Sequence, residues 1–121
     1  MFKILHIDDE ELIREFLLDF VSNLYEEIQL VSLESWAEAK PLLQAGEKFS
    51  LILLDEIMPD TSGSVIYKEI CKDYPSMKDQ VVFLTGSKNV GMTDRPYLEK
   101  PFELKALHQL ITDFKNKKII S

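Results

Sequence analysis

The chain has 121 residues and a formal charge of −7, from 21 acidic against 14 basic residues. That length fits one domain with a single core, and an apolar fraction of 45% with four Gly and five Pro excludes a largely disordered chain. The acidic surplus disfavours non-specific binding to nucleic acid or to an anionic membrane, and neither is expected as a partner.

Cys71 is the only cysteine, so no intramolecular disulfide can form, and a reducing, cytoplasmic setting is expected. Met1 to Leu5 shows no leader pattern, and no apolar run approaches the length that crosses a bilayer.

Short apolar runs alternate with helical patterns. Phe2 to Ile7 reads as a strand. Leu12, Ile13, Phe16, Leu17, Phe20, Val21 and Leu24 recur at helical spacing and predict a helix from about Glu10 to Tyr25. Ile28 to Leu33 reads as a second strand. Ser35 with Glu38 forms a capping box for a second helix, which Gly46 can end. Pro41 falls inside that pattern and is expected to kink the helix or delay its start. Leu51 to Leu54 lacks alternation, as a strand buried on both faces does. Ile66, Tyr67, Ile70, Cys71 and Tyr74 form a helical stripe that stops before Pro75. Gln80 to Leu84 predicts a fourth strand and Tyr97 to Lys100 a short fifth. Phe102, Leu104, Leu107, Leu110, Ile111 and Phe114 line a last helix. The basic tail from Lys115 to Lys118 suits its C-terminus.

This alternation predicts a doubly wound α/β domain over residues 1–121, a parallel sheet with helices on both faces. Such sheets bind ligands beyond the carboxyl ends of their strands. Those ends carry Asp8 and Asp9, then Asp55, then Thr85, then Lys100. Three neighbouring carboxylates repel one another unless a cation intervenes. Mg²⁺ (or Mn²⁺) suits an oxygen-rich site that keeps room for waters and a phosphate oxygen. One carboxylate can then attack phosphorus, while Lys100 and Thr85 stabilise the phosphoryl oxygens. Gly86 leaves the entrance unobstructed.

These pieces together resemble the receiver domain of bacterial two-component response regulators, the CheY-like family. The matching motifs are Ile7-Asp8-Asp9, then Leu53-Leu54-Asp55-Glu56-Ile57-Met58-Pro59-Asp60-Thr61-Ser62-Gly63, then Phe83-Leu84-Thr85-Gly86-Ser87, then Glu99-Lys100-Pro101-Phe102. They occur in the family's order across nearly the whole chain. The resemblance implies a flavodoxin-like, three-layer fold with five strands in the order 2-1-3-4-5. It implies phosphorylation of Asp55 by a histidine kinase or histidine phosphotransfer protein, a module switched by phosphorylation, and no enzymatic turnover beyond self-catalysed phosphotransfer and dephosphorylation. Asp8, Asp9, Asp55 and the backbone carbonyl of Ile57 are the implied metal ligands. Thr85 and Lys100 are the implied phosphoryl contacts. Thr85 and Tyr97 are the implied switch pair, and Pro101 stands at the family's cis-linked proline. An output protein and a weak homodimer are further implied partners, without direct DNA binding.

Two departures stand out. Only Gly86 to Arg95 connects the fourth and fifth strands, whereas a crossover with its helix usually needs at least about 10–12 residues. The helix there is expected to be shortened or missing, as in receivers attached to hybrid histidine kinases. Ile57, two residues after Asp55, is often polar in the family; an apolar side chain cannot orient water, and neither Ile57 nor the small Ser87 is expected to speed dephosphorylation.

Competing readings attach to single residues. Asp8 and Asp9 alone equally suit a solvated turn before a helix. Tyr97 suits packing as well as switching. His6 reads as a core histidine rather than a ligand, Cys71 as inert core, Trp36 as a packing or surface residue, and His108 as an exposed helix residue. Two other functions compete: a phosphatase of the haloacid-dehalogenase type, which needs an acid where Ile57 stands, and an interaction module independent of phosphorylation. The last helix ends near Ser121, so the chain is expected to act alone or as a piece of a larger protein.

Overall fold

The computed structural model describes residues 1–86 and 95–116. In chain order these form β1 (Phe2–Ile7), α1 (Glu11–Leu24), β2 (Ile28–Leu33), α2 (Trp36–Gln44), β3 (Leu51–Asp55) and α3 (Gly63–Asp73). A 3-10 helix (Pro75–Gln80), β4 (Val81–Thr85), β5 (Tyr97–Glu99) and α4 (Leu104–Asn116) follow. All strand pairs are parallel, in the order β2-β1-β3-β4-β5. The fold is therefore the doubly wound one that the alternation predicts, with the flavodoxin-like strand order that the resemblance implies. The expected shortened or missing helix between the fourth and fifth strands falls on residues 87–94, outside the described residues, as do Ser87 and the end of the basic tail.

Strand alternation sorts the core into two layers. Leu5, Ile7, Ile52, Leu54 and Phe83 pack against α2 and α3 through Ala39, Leu43, Ile66 and Ile70. Ile4, Leu51, Leu53, Val82 and Leu84 pack against α1 and α4 through Leu17, Phe20, Leu107 and Ile111. The central strands β3 and β4 are buried along their whole length, as uninterrupted apolar runs require.

Some helix details differ from expectation. The α1 stripe is wider than its footprint: Leu17, Phe20 and Val21 are buried, while Leu12 and Leu24 face solvent. The start of α2 is not delayed by Pro41, which lies inside the helix. The Ser35 hydroxyl accepts from the Glu38 amide as expected, but the Glu38 carboxylate reaches the Glu34 amide, one residue before the cap. Gly46 follows α2 at φ 92°, a conformation glycine adopts without strain. Cys71 is only half-buried, so it borders the core rather than filling it. No helix among the described residues is long and apolar enough to cross a membrane.

Candidate functional site

The carboxyl ends of β1, β3, β4 and β5 meet in a cleft of about 340 Å³. It is lined by Asp9, Glu10, Asp55, Ile57, Thr85, Gly86 and Lys100. Carboxylate oxygens of Asp8, Asp9 and Asp55 all lie within 4.8 Å of one another. Each arrives by a definite route. Asp8 directly follows β1, in register with the face that Ile4 and His6 share, and its amide donates to the Leu33 carbonyl of β2 at 3.0 Å. Asp55 is the last residue of β3, and the next amide, Glu56, donates to Leu84 of β4 at 3.0 Å. Lys100 follows β5, and its amide donates to the Thr85 carbonyl at 2.6 Å. The Lys100–Pro101 peptide is cis.

Lys100 is the electrostatic centre. Its Nζ lies 3.1 Å from Asp55 Oδ1, 3.1 Å from Asp8 Oδ2 and 2.8 Å from Glu10 Oε1. Burial pulls the Lys100 ammonium down, but the Glu10, Asp8 and Asp55 carboxylates outweigh it and hold the ammonium above its ordinary value. Asp55 moves the other way. Burial, then the Asp8 charge, push its carboxyl up to about 7 against the pull of Lys100. Burial also pushes Asp8 up, but the His6 ring, the Glu10 amide and Lys100 hold it below the usual carboxylate range.

The donor set fits a hard divalent cation. The clustered carboxylates of Asp8, Asp9 and Asp55 share one ammonium that Glu10 also engages, so negative charge is left uncompensated, and the ligand atoms they offer are oxygen. Asp8 Oδ2 is buried and, despite its proximity to Lys100, makes no aligned hydrogen bond. Imidazole would be the donor for softer ions, but His6 lies buried among strands with its Nδ1 against Ser32 Oγ.

The fold thus brings Asp8, Asp9, Asp55, Thr85 and Lys100 together. Thr85 is buried at the cleft wall. Ile57 lies in the loop after β3 with its side chain 77% exposed. Tyr97 is part of β5 and is half-exposed on the sheet edge. His108 is exposed, as expected, and its Nδ1 meets the Tyr25 hydroxyl. Trp36 is half-buried against the α2–α3 layer and donates to Glu69 at 3.2 Å.

Three supporting residues escaped the sequence reading. Glu10 immediately follows the acid pair, yet it reads there only as a helix start; its amide donates to Asp8 Oδ1 at 2.9 Å and its carboxylate pairs with Lys100. Arg14 donates to the Asp8 carbonyl at 2.8 Å. Glu56 accepts from the Ser64 amide and hydroxyl and so caps α3 beside Asp55. The spacing of Glu10 and Arg14 carries no motif, and Glu56, although inside the Leu53 to Gly63 motif, has no role that the motif discloses; the tertiary fold reveals what all three do.

Known proteins agree with this picture. The family model "Response regulator receiver domain" matches residues 4–112. The transcriptional regulatory protein CrdR of Helicobacter pylori is 30% identical over 94% of this chain, and the response regulator protein FleR of Pseudomonas aeruginosa is 33% identical over 90% of it. The chain spans 55% of the first relative's length and 24% of the second's. Among solved structures, the response regulator protein TrrA from Thermotoga maritima, in complex with Mg²⁺ and BeF, superposes with a TM-score of 0.76 at 28% identity. That match covers 94% of this chain and 99% of the other. With its strand order, its converging acid cluster and a family match over most of its length, the chain belongs to the response regulator receiver domain family.

Proposed function

We propose that residues 1–121 form one receiver domain that accepts a phosphoryl group on Asp55 from a phosphohistidine of a histidine kinase or histidine phosphotransfer protein, in the cytoplasm. The observation that carries this reading is the Lys100 ammonium, 3.1 Å from carboxylate oxygens of both Asp8 and Asp55 within the acid cluster. In the transfer, an Asp55 oxygen bonds to phosphorus as the bond from phosphorus to the imidazole nitrogen breaks. The electron pair leaves on that nitrogen. Attack requires the ionised carboxylate, which burial and Asp8 oppose and Lys100 favours.

A Mg²⁺ or Mn²⁺ ion held by Asp8, Asp9, Asp55 and the Ile57 carbonyl would supply the positive charge that lets these carboxylates and the phosphoryl oxygens coexist. Lys100 exchanges its Asp55 partner for a phosphoryl oxygen, and the Thr85 hydroxyl donates to another. Motion of Thr85 toward phosphate leaves room for Tyr97 to turn inward, and this biases a two-state equilibrium read by an output partner. The complex of TrrA with Mg²⁺ and BeF supports the metal assignment by likeness.

Incubation with Mg²⁺ and acetyl phosphate, followed by intact-mass measurement, tests the reading. The parent should gain one phosphate, and Asp55→Asn should gain none. An equal adduct on both proteins, or no Mg²⁺-dependent adduct on the parent, contradicts it; the latter outcome fits an interaction module that works without phosphorylation.

A further inference from the structure

The strand that delivers Asp8 also delivers a side chain for which phosphoryl transfer has no use. His6 precedes Asp8 by two residues, so both project to one face of the sheet, and His6 is wholly buried. The register of β1 on β2 sets His6 opposite Ser32, and His6 Nδ1 lies 2.7 Å from Ser32 Oγ. A neutral imidazole carries one N–H, and the nitrogen that accepts a hydrogen bond leaves the proton on the other. The Ser32 hydroxyl can donate or accept, so the group on the other side of the ring decides: a carboxylate facing Nε2 can only accept, which places the ring proton on Nε2 and makes Ser32 the donor to Nδ1. Nε2 faces Asp8 Oδ2 at 3.5 Å. Both atoms are buried, and neither has an aligned hydrogen bond. The other Asp8 oxygen, Oδ1, is already fixed by the Glu10 amide at 2.9 Å. A small closing of the His6–Asp8 gap would therefore fix the carboxylate at both oxygens.

We propose that His6, braced by Ser32 and turned with Nε2 toward Asp8, is a positioning residue that orients the Asp8 carboxylate for a divalent cation. The proposal rests on the metal site of the preceding section. The imidazole is not itself a ligand; it holds the ligand. Partners of this kind commonly change metal affinity by about 10–100-fold. A merely structural histidine, satisfied by Ser32 alone, would change stability without changing the affinity of the folded protein.

The test titrates the full chain with Mg²⁺ by calorimetry, with no phosphodonor present. His6→Val, which puts a strand-forming apolar residue in the buried position, should weaken Mg²⁺ binding about 10–100-fold while thermal unfolding stays cooperative. His6→Gln, whose amide can donate to Asp8, should recover part of the loss. Ser32→Ala should shift affinity in the same direction by less. Nitrogen-15 spectra of the parent imidazole should place the proton on Nε2. A parent that binds no Mg²⁺ overturns the metal site and this proposal together. A parent that binds while His6→Val binds equally well overturns this proposal alone. So does a ring proton on Nδ1, which settles the matter even if His6→Val fails to fold.

Discussion

At the scale of single residues, Asp55 links chemistry to stability. Its carboxyl is pushed up to about 7, so the folded chain holds that proton more tightly than the unfolded chain, where an aspartate titrates near about 3.9. The resulting stabilisation is complete below the unfolded value and is lost as pH rises through about 7. His6, held down first by burial, contributes with the opposite sign: its share is present above the ordinary histidine value and is lost as pH falls. Substitution isolates the aspartate term. In EDTA, the melting temperature of Asp55→Asn should exceed that of the parent by a margin that widens from pH 5 to pH 8. A margin independent of pH would contradict the assignment. Mg²⁺ should narrow the margin at pH 8. On the proposed reading, Ile57 bears on the later step, loss of the phosphoryl group. Its exposed apolar side chain cannot align water, so Ile57→Asn should speed loss of phosphate from Asp55, and an unchanged decay rate by mass measurement would count against it.

Asp8, Asp9, Asp55 and Thr85 were legible because each sits where an apolar run ends in polar groups. Lys100 follows Glu99 and was legible from the end of the short fifth strand and from the motif Glu99-Lys100-Pro101-Phe102. Glu10 and Glu56 were not, because an acid beside a turn has many uses and only the register of distant strands selects one.

At the scale of elements, the junction between β3 and α3 leaves no room for a side chain at Gly63. A Cβ placed on Gly63 would come within 2.7 Å of the Asp55 carbonyl oxygen and 3.2 Å of the Glu56 Cα. The Gly63 amide also donates to the Glu56 carbonyl at 3.0 Å. Backbone cannot yield as a side-chain tip can. Gly63→Ala should cost about 1–3 kcal/mol in denaturant unfolding, the range for a forced overpacking, and should slow phosphorylation by displacing Asp55. Normal stability together with a normal rate would show that the loop relaxes freely.

Apolar patterning, with a capping box in place of a stripe for α2, located every α-helix and strand among the described residues; most ends differ by a residue or two, and the α3 stripe begins at Ile66 although the helix begins at Gly63. The periodicity of α1 overstated the buried face, since Leu12 and Leu24 extend the stripe past what the sheet covers. The 3-10 helix Pro75–Gln80 left no periodic signal at all. Its one buried apolar residue is Met77, and a single anchor has no period.

At the scale of the whole molecule, seven surplus negative charges surround a site that gathers several of them. A cation bound only by the folded chain stabilises it by mass action, about 2.7 kcal/mol at a hundredfold excess over Kd. Mg²⁺ should therefore raise the melting temperature of the parent. Asp9→Asn should lose most of that rise while melting close to the parent in EDTA, because Asp9 is exposed and supports no core packing. A rise of equal size in both proteins would point to general charge screening instead.

The bond between the Lys100 amide and the Thr85 carbonyl has a mechanical meaning. β5 is three residues long and meets the sheet only through β4, so Lys100 travels with Thr85 rather than independently of it. The ammonium and the hydroxyl are mounted on one rung. On the proposed reading, a pull on either group would be felt by the other and carried along β5 toward Tyr97, two rungs back.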